Sequence, residues 1–392
     1  MVSLFRLTDT AVGYNFKCVF SNQSIMDAMT EHFIIDAHED LAYESLYGGF
    51  DYTRSVADNR KYYSGPETFQ GTIGWPELQK GRVGIIFGTV FVEPEPGEPS
   101  PKNRTAAYCT PEDYHAAVCA QLDFYDRLQE KHPEFFRRIL SRKDYEEIIA
   151  GVKDRPGQEY PVGLITLLEG AEGLRSFDDL EAYRERGIFL LGPVWAGGRW
   201  CAGTRSTAMK DALTDDGRTL LRKMSALGML LDVSHMKNRS AMDALNYYDG
   251  AAAASHVNCN ALIKDMPVER HFNDETIRLL IEHDGVMGVI PYNYFLDPEW
   301  KYSGKDSRRQ VTLDMLAAHI DHICQLAGDS RHAAIGSDFD GGFGYPSIPY
   351  EMNDISDLQL LDEVLQKRGF RSEDVANVFH GNWQRILERA LQ

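Results

Sequence analysis

The stretch FIIDAHED (33–40) decides the fold, because it is a short apolar run that closes on a histidine and acidic residues. Seven further apolar runs are bounded by turn residues and separated by segments with helical periodicity: VGIIFGTVFVE (83–93), VGLITLLEG (162–170), IFLLGPVW (188–195), GMLLDVSH (228–235), AAAASHVN (251–258), GVMGVIPYN (285–293) and AAIGSDFDG (333–341). Strands that alternate with helices are typical of βα units around a parallel sheet. Eight such units predict an α/β protein with a TIM-like (β/α)8 barrel and inserted loops.

An open doubly wound sheet is the alternative arrangement of the same units. Nucleotide-binding members of that class bring backbone N–H groups against phosphate through a glycine-rich loop that follows a strand. No apolar run of this chain is followed by a GxGxxG or Walker-type loop, which favours the barrel. We expect residues 31–392 to form a metal-dependent hydrolase barrel and residues 1–30 to form an N-terminal helical extension.

Composition and charge exclude several classes of function. Of the 392 residues, 43% are apolar and 26% are charged, so the chain can fold around a large core. It has 41 Lys and Arg against 59 Asp and Glu, and the net charge of −18 repels phosphate backbones and anionic membrane surfaces. We therefore expect neither a nucleic-acid partner nor a membrane partner.

The cysteines and the first residues of the chain predict a cytoplasmic protein. The six cysteines are scattered without a CxxC pair, as is usual in a reducing compartment. The N-terminus has no charged segment followed by a long apolar stretch, and no run of 18 apolar residues occurs anywhere in the sequence.

Residues of metal-binding types close several of the apolar runs. His38 and Asp40 close the first run, Glu169 the third, His235 the fifth and His256 the sixth. The carboxyl ends of barrel strands share one mouth, so we expect these side chains to converge there. Imidazole and carboxylate ligands without thiolate favour Zn²⁺ or another first-row divalent ion, and five ligands are too many for one catalytic zinc. We predict two ions bridged by Glu169, with a water between them that loses its proton and becomes the nucleophile.

The reaction also needs a group that moves protons and a pocket that holds the substrate. Asp338, in IGSDFDGG (335–342), is the candidate general acid and base. Tyr292 and Asn293 close the seventh run, and we expect them to line the pocket. A serine hydrolase is disfavoured because the chain has no G-x-S-x-G motif.

The motifs DAHED, LLEG, DVSH, SHVN, ERHFNDE and IGSDFDGG resemble, in this order, those of the membrane (renal-type) dipeptidase family of zinc peptidases in the amidohydrolase superfamily. The resemblance extends to the closing segment HGNWQRIL (380–387). It implies the same metal ligands, with His38 and Asp40 on the first ion and His235 and His256 on the second. It also implies that Asp338 is the general acid and base, and that Arg270 binds the free carboxylate of the substrate.

This resemblance implies a zinc-dependent dipeptidase, often a homodimer, that cleaves dipeptides through a metal-bridging hydroxide. One segment departs from the family pattern: GPVWAGGRWCAGT (192–204) has Trp195 where the family has a histidine that polarises the scissile carbonyl. An indole carries no charge and cannot titrate, which leaves the substrate class open. The alternatives are hydrolysis of another small amide, N-acyl amino acid or lactone, and a catalytically silent metal-binding barrel.

Overall fold

The computed structural model describes residues 32–63, 69–94, 107–154, 158–204, 212–266 and 268–391. His32–Gln392 forms a compact unit. The helical extension expected at residues 1–30 lies outside the described residues. No helix in the described part of the chain is long and apolar enough to cross a membrane.

The main sheet confirms the predicted barrel class. Among the described residues, eight parallel strands are hydrogen-bonded to one another in chain order. They are β1 Ile34–Glu39, β2 Val83–Phe91, β3 Val162–Glu169, β4 Ile188–Gly192, β5 Leu230–Asp232, β6 Ala252–Ala254, β7 Val286–Val289 and β8 Ala333–Ile335. The short strand Phe136–Arg138 also pairs with β3, and Glu93–Pro94 pairs with Ala107–Tyr108 in a separate ribbon.

The sheet closes on itself where β1 meets the residues that follow β8. A parallel bridge joins Glu39 to Phe339. The Asp36 carboxylate accepts a hydrogen bond from the Ser337 backbone N–H at 2.7 Å, and Glu39 accepts one from the Ser337 hydroxyl at 3.0 Å. We call this junction, formed by Asp36, Glu39, Ser337 and Phe339, the barrel seam.

Helices connect the strands, because parallel neighbours need a crossover connection. The α-helices are Leu41–Tyr43, Val56–Tyr62, Trp75–Lys80, Pro111–Lys131, Arg142–Asp154, Phe177–Glu185, Asp215–Ala226, Asn238–Tyr247, Asp274–Glu282, Asn293–Leu296, Leu313–Ala327, Leu361–Lys367, Ser372–Ala376 and Asn382–Ala390. Shorter 3₁₀ turns cover Asn260–Leu262, Lys305–Gln310 and Ile355–Leu360, and π-helical turns cover Glu44–Gly48 and Asn377–Gly381. Polar caps fix several helix starts; the side chain of Thr110, for example, accepts the backbone N–H of Asp113.

Both faces of the strands are buried, which explains their nearly continuous apolar sequence. In β3, Ile165 and Leu167 pack in one cluster with Trp383 of the last helix, whose ring lies 5.2 Å from that of Phe87. Leu164, which points to the other face, packs in the cluster that includes residues of the surrounding helices.

Several strands end earlier than the apolar runs predict. β5 ends at Asp232, three residues before His235, and β8 ends at Ile335, three residues before Asp338. The reason is the backbone conformation, since φ is 63° at His235 and 57° at Asp338, and a left-handed residue cannot continue a strand. Both side chains therefore project from βα loops at the mouth, and strained non-glycine positions of this kind concentrate at functional sites.

Candidate active site

Glu169, the last residue of β3, lies at the centre of a cluster of imidazoles and carboxylates. Its Oε1 is 2.9 Å from His235 Nε2 and 3.3 Å from His256 Nε2. Its Oε2 is 3.6 Å from His38 Nε2. The two oxygens of one carboxylate thus face different imidazoles, as a carboxylate that bridges two cations must do.

His38 and two carboxylates form the other half of the cluster. His38 Nε2 lies 3.8 Å from an oxygen of Asp40 and 3.8 Å from an oxygen of Asp338, and the backbone N–H of Asp338 donates to the His38 carbonyl at 3.1 Å. The side-chain distances are too long for hydrogen bonds, whereas ligands about 2.1 Å from one ion stand about 3 to 4 Å apart.

The donor atoms fit a divalent cation. Both ring nitrogens of His38 and Oδ1 of Asp40 are buried without a hydrogen-bond partner among the described residues. Two groups of three potential ligand atoms lie within 4.8 Å of one another; one group is His38, Glu169 and His256, and the other is His38, Asp40 and Asp338. Buried polar atoms that lack partners are unfavourable, and a bound cation would satisfy them.

A second layer of polar residues fixes the tautomer of His256. Its Nδ1 is 2.7 Å from the Ser255 hydroxyl, and that hydroxyl donates its proton to Asp232. His256 must therefore donate from Nδ1, which leaves the lone pair of Nε2 facing Glu169. This indirect link to a carboxylate is the arrangement that orients metal-ligating histidines.

The charged groups of the cluster shift one another's pKa. Burial lowers the pKa of His38, but Glu169 and Asp40 outweigh that effect and raise this pKa well above its usual value. Burial raises the pKa of Glu169, but the His38 and His235 imidazoles hold it well below its usual value. Burial, and then Arg270, lowers the pKa of His235 to about 4. His235 is therefore neutral near pH 7, which is the form that binds metal.

Gly341 provides the space in which the carboxylates of Asp338 and Asp40 approach each other. A Cβ atom on Gly341 would lie 2.0 Å from Asp338 Oδ1 and 2.8 Å from Asp40 Oδ2. Any other residue would displace at least one of these carboxylates.

A cavity of about 640 Å³ opens onto the cluster. This volume is in the range of small-ligand sites. The Phe, Tyr and Trp residues of its wall are Tyr43, Phe91, Trp195, Tyr292, Tyr294, Phe295 and Phe343. Tyr292 stacks on Phe343 with 4.2 Å between ring centroids. Asn293 is fully buried and is not among the residues that line the cavity, and its side-chain amide has no hydrogen-bond partner in the described part of the chain.

Arg270 lies in the cavity wall beside two of the histidines. Its Nη2 donates to the His256 carbonyl at 2.9 Å and lies 3.2 Å from His235 Nε2. Its Nε and Nη1 are buried and have no partner in the described part of the chain. A buried guanidinium with unsatisfied donors at a cavity is suited to bind an anion.

The loop after β4 brings Trp195 into the cavity wall. The Glu172 carboxylate accepts three consecutive backbone N–H groups, from Trp195, Ala196 and Gly197, at 2.8, 3.0 and 3.1 Å. The indole lies 6.1 Å from the His235 ring. Glu172 therefore orders the loop and fixes Trp195 next to the cluster.

Two acidic residues of the cavity wall, Glu44 and Glu93, were not predicted as site residues from the sequence. Glu44 follows β1 by five residues, and Glu93 follows β2 by two. Loops after barrel strands face the mouth, so an inspection of every acidic residue in the first two loops would have found both.

Fold and site together define a class of protein. A (β/α)8 barrel with an imidazole and carboxylate cluster at its C-terminal mouth is an architecture of metal-dependent hydrolases. A family model described as membrane dipeptidase (peptidase family M19) matches residues 22–392, and the chain belongs to this family. The family resemblance found in the motifs is thereby confirmed.

Several proteins resemble this chain along most of its length. It is 26% identical over 385 residues to an uncharacterised dipeptidase of Schizosaccharomyces pombe, which covers 96% of this chain and 86% of that protein. It is 26% identical over 364 residues to dipeptidase aclJ of Aspergillus oryzae, with 90% and 77% covered. A metallopeptidase from Rhodobacter sphaeroides, solved with a phosphinate mimic of the dipeptide L-Ala-D-Ala, has a TM-score of 0.71 at 22% identity, with 92% and 99% covered. This structural likeness supports the fold.

Proposed function

We propose that this chain is a metal-dependent dipeptidase that hydrolyses the peptide bond of dipeptides with a free carboxylate. The observation that carries this proposal is the position of Arg270, whose unpartnered nitrogens belong to the same cavity as Glu169. A carboxylate bound there would place the neighbouring peptide bond beside the cluster. Membership of the dipeptidase family supports the same reaction.

The proposed cofactor is a pair of Zn²⁺ ions. His38 and Asp40 would hold one ion, His235 and His256 would hold the other, and Glu169 would contact both. When bound, such ions polarise a carbonyl and lower the pKa of water, which supplies the nucleophile at neutral pH. The absence of thiolate from the donor set supports zinc or another first-row divalent ion.

Asp338 is the proposed proton carrier. Burial raises its pKa well above the usual value and Asp40 adds to this effect, whereas His38 opposes it. A carboxyl group with a raised pKa can take up a proton and pass it to the leaving amine as the peptide bond breaks.

The substrate contacts proposed beyond Arg270 are Trp195 and Tyr292 in the cavity wall. Their rings would exclude water from the bound peptide and lie against its side chains. Asn293 is proposed as a further substrate contact, and its side-chain amide is buried without a hydrogen-bond partner among the described residues.

Two further proposals concern the oligomeric state of the protein and its location in the cell. Cys119, Cys201, Cys259 and Cys324 form no disulfide with one another. Free thiols support a reducing compartment, and we propose a cytoplasmic homodimer. Light scattering after size-exclusion chromatography would measure the mass of the particle.

The proposed function is tested with purified protein supplied with zinc. Elemental analysis should find about two ions per chain. The protein should hydrolyse members of a panel of L-L, L-D and glycine-containing dipeptides. Activity confined to N-acyl amino acids, other amides or lactones would assign the chain to the alternative amidohydrolase reaction. Metal uptake without any turnover would indicate a silent barrel.

A further inference from the structure

Glu44 is a buried carboxylate that the proposed reaction does not use. Its side chain lines the cavity, and the residue is only 5% exposed. It belongs to the π-helical turn Glu44–Gly48, and a Cβ atom on Gly48 would lie 2.0 Å from Glu44 Oε2, so this glycine gives the carboxylate its place. Its charged neighbours are the carboxylates of Asp340 and Asp40. A buried carboxyl group beside like charges tends to hold its proton, and a cation bound next to it would favour the ionised form.

Glu93 is a second acidic residue in the wall of this cavity. After burial, the carboxylates of Glu93, Glu44 and Asp40, and then Tyr47, raise the pKa of Tyr43, which belongs to the same cavity wall. Asp40 is a candidate metal ligand. Within the described residues, neither Glu44 nor Glu93 belongs to a group of three metal-ligand atoms within 4.8 Å, so a metal ion does not account for them.

Glu44 and Arg270 adjoin different halves of the metal cluster. Arg270 contacts His235 and the carbonyl of His256. Glu44 adjoins the other half of the cluster, because its backbone N–H donates to the Asp40 carbonyl at 3.0 Å. The cavity therefore has Arg270 beside one half of the cluster and Glu44 beside the other, and a dipeptide is a zwitterion that carries both complementary charges.

We infer that Glu44 and Glu93 form a binding site for an ammonium group of the substrate, so that the cavity holds both charged ends of a dipeptide. This inference rests on the proposed dipeptidase function. The ammonium group is either the α-amino group of the first residue or a basic side chain of that residue. In both cases the site disfavours N-acylated amino acids, which have no positive charge at that end.

The test compares Glu44→Gln and Glu93→Gln with the wild type, all loaded with zinc. The control is Glu282→Gln, which makes the same change of charge at the exposed end of the helix Asp274–Glu282. The substrates are Ala-Ala, N-acetyl-Ala-Ala and Lys-Ala. Loss of a partly buried carboxylate partner should lower kcat/KM for Ala-Ala by about 10- to 100-fold, mainly through KM. Activity on N-acetyl-Ala-Ala and metal content should not fall, and the control should match the wild type.

The outcomes separate this inference from the proposed function. A loss seen with Ala-Ala assigns the site to the α-amino group, and a loss confined to Lys-Ala assigns it to the side chain. Equal losses with and without the ammonium group, or no loss, would overturn the inference while leaving the dipeptidase activity in place. A wild type that hydrolyses none of the dipeptides would instead overturn the proposed function. If Glu44→Gln does not fold, the half-buried Glu93 gives the same comparison.

Discussion

Replacing Arg270 by methionine tests the group that is proposed to select for a free carboxylate. The substitution retains a long side chain at a position that is only 3% exposed and removes the guanidinium. In the protein without substrate, Nη2 of Arg270 donates to the His256 carbonyl, while Nε and Nη1 lack partners. An incompletely satisfied buried charge contributes little to stability, so we expect the melting temperature to stay the same or rise.

The effect on catalysis should be much larger than the effect on folding. Removing one partner of a buried, hydrogen-bonded charge pair costs about 2 to 5 kcal/mol, and each 1.4 kcal/mol is a factor of ten, so kcat/KM for a dipeptide should fall by about 30- to 4,000-fold. The dipeptide amide, which has no carboxylate, cannot use Arg270. Its kcat/KM should change little, and the preference for the free acid should disappear.

The assay measures kcat/KM for one dipeptide and for its C-terminal amide, together with the metal content of each protein. Arg239→Met is the matched control, because Arg239 has an exposed side chain that pairs with Asp243 on its own helix. An equal loss on the acid and the amide would refute the assignment of Arg270 to the carboxylate. So would a loss that simply follows a fall in metal content.

Three other predictions test separate parts of the structure. Asp338→Asn should retain its metal and lose about 10²- to 10⁴-fold in kcat, and an unchanged rate would contradict its role as proton carrier. Gly341→Ala should weaken metal binding, measured by competition with a chelator, because the added Cβ atom would meet the Asp338 carboxylate. The control is Gly151→Ala, whose added Cβ atom would have no neighbour within 4 Å and should leave metal binding unchanged. Burial, and then His322, lowers the pKa of His319 from 6.5 to about 3. The unfolded chain therefore binds a proton that the folded chain does not, and this group should reduce the free energy of unfolding by about 2 kcal/mol between pH 7 and pH 5. His319→Asn retains an acceptor for the backbone N–H of Cys259. In urea titrations its free energy of unfolding should fall less between pH 7 and pH 5 than that of the wild type. The same pH dependence in both proteins would contradict this prediction.

The barrel was predictable because its strands differ in sequence from everything between them. β3 is apolar on both faces and ends on Glu169, and the same pattern recurs at β1, which ends next to Asp40. Once such segments are placed in a barrel, their polar ends have to meet, so the cluster around Glu169 follows from the topology.

Other features of the site depend on backbone geometry that periodicity does not reveal. Glu44 reaches the cavity through a π-helical turn, and the sequence carries no clear signal for such a turn. Asn293 was expected beside Tyr292 in the pocket, but β7 ends at Val289 and a helix begins at Asn293, so alternation no longer determines which side chain faces the cavity. Glu172 fixes the loop at Trp195 by accepting hydrogen bonds from backbone N–H groups. Nearly every residue type offers such a group, so the sequence does not indicate this contact.

The barrel seam lies directly beside candidate metal ligands. Glu39 bridges to Phe339, and the residues next to them in sequence, His38 and Asp338, are joined by a backbone hydrogen bond. A cation bound by His38 and Asp40 would also attract the Asp338 carboxylate, which follows β8 and lies 3.8 Å from His38 Nε2, and so would stabilise this closure. A ligand that binds only the folded state adds to its stability. The stability of the closed barrel in the cell would therefore rise with the concentration of free metal. Metal starvation would then reduce the amount of the protein as well as its activity.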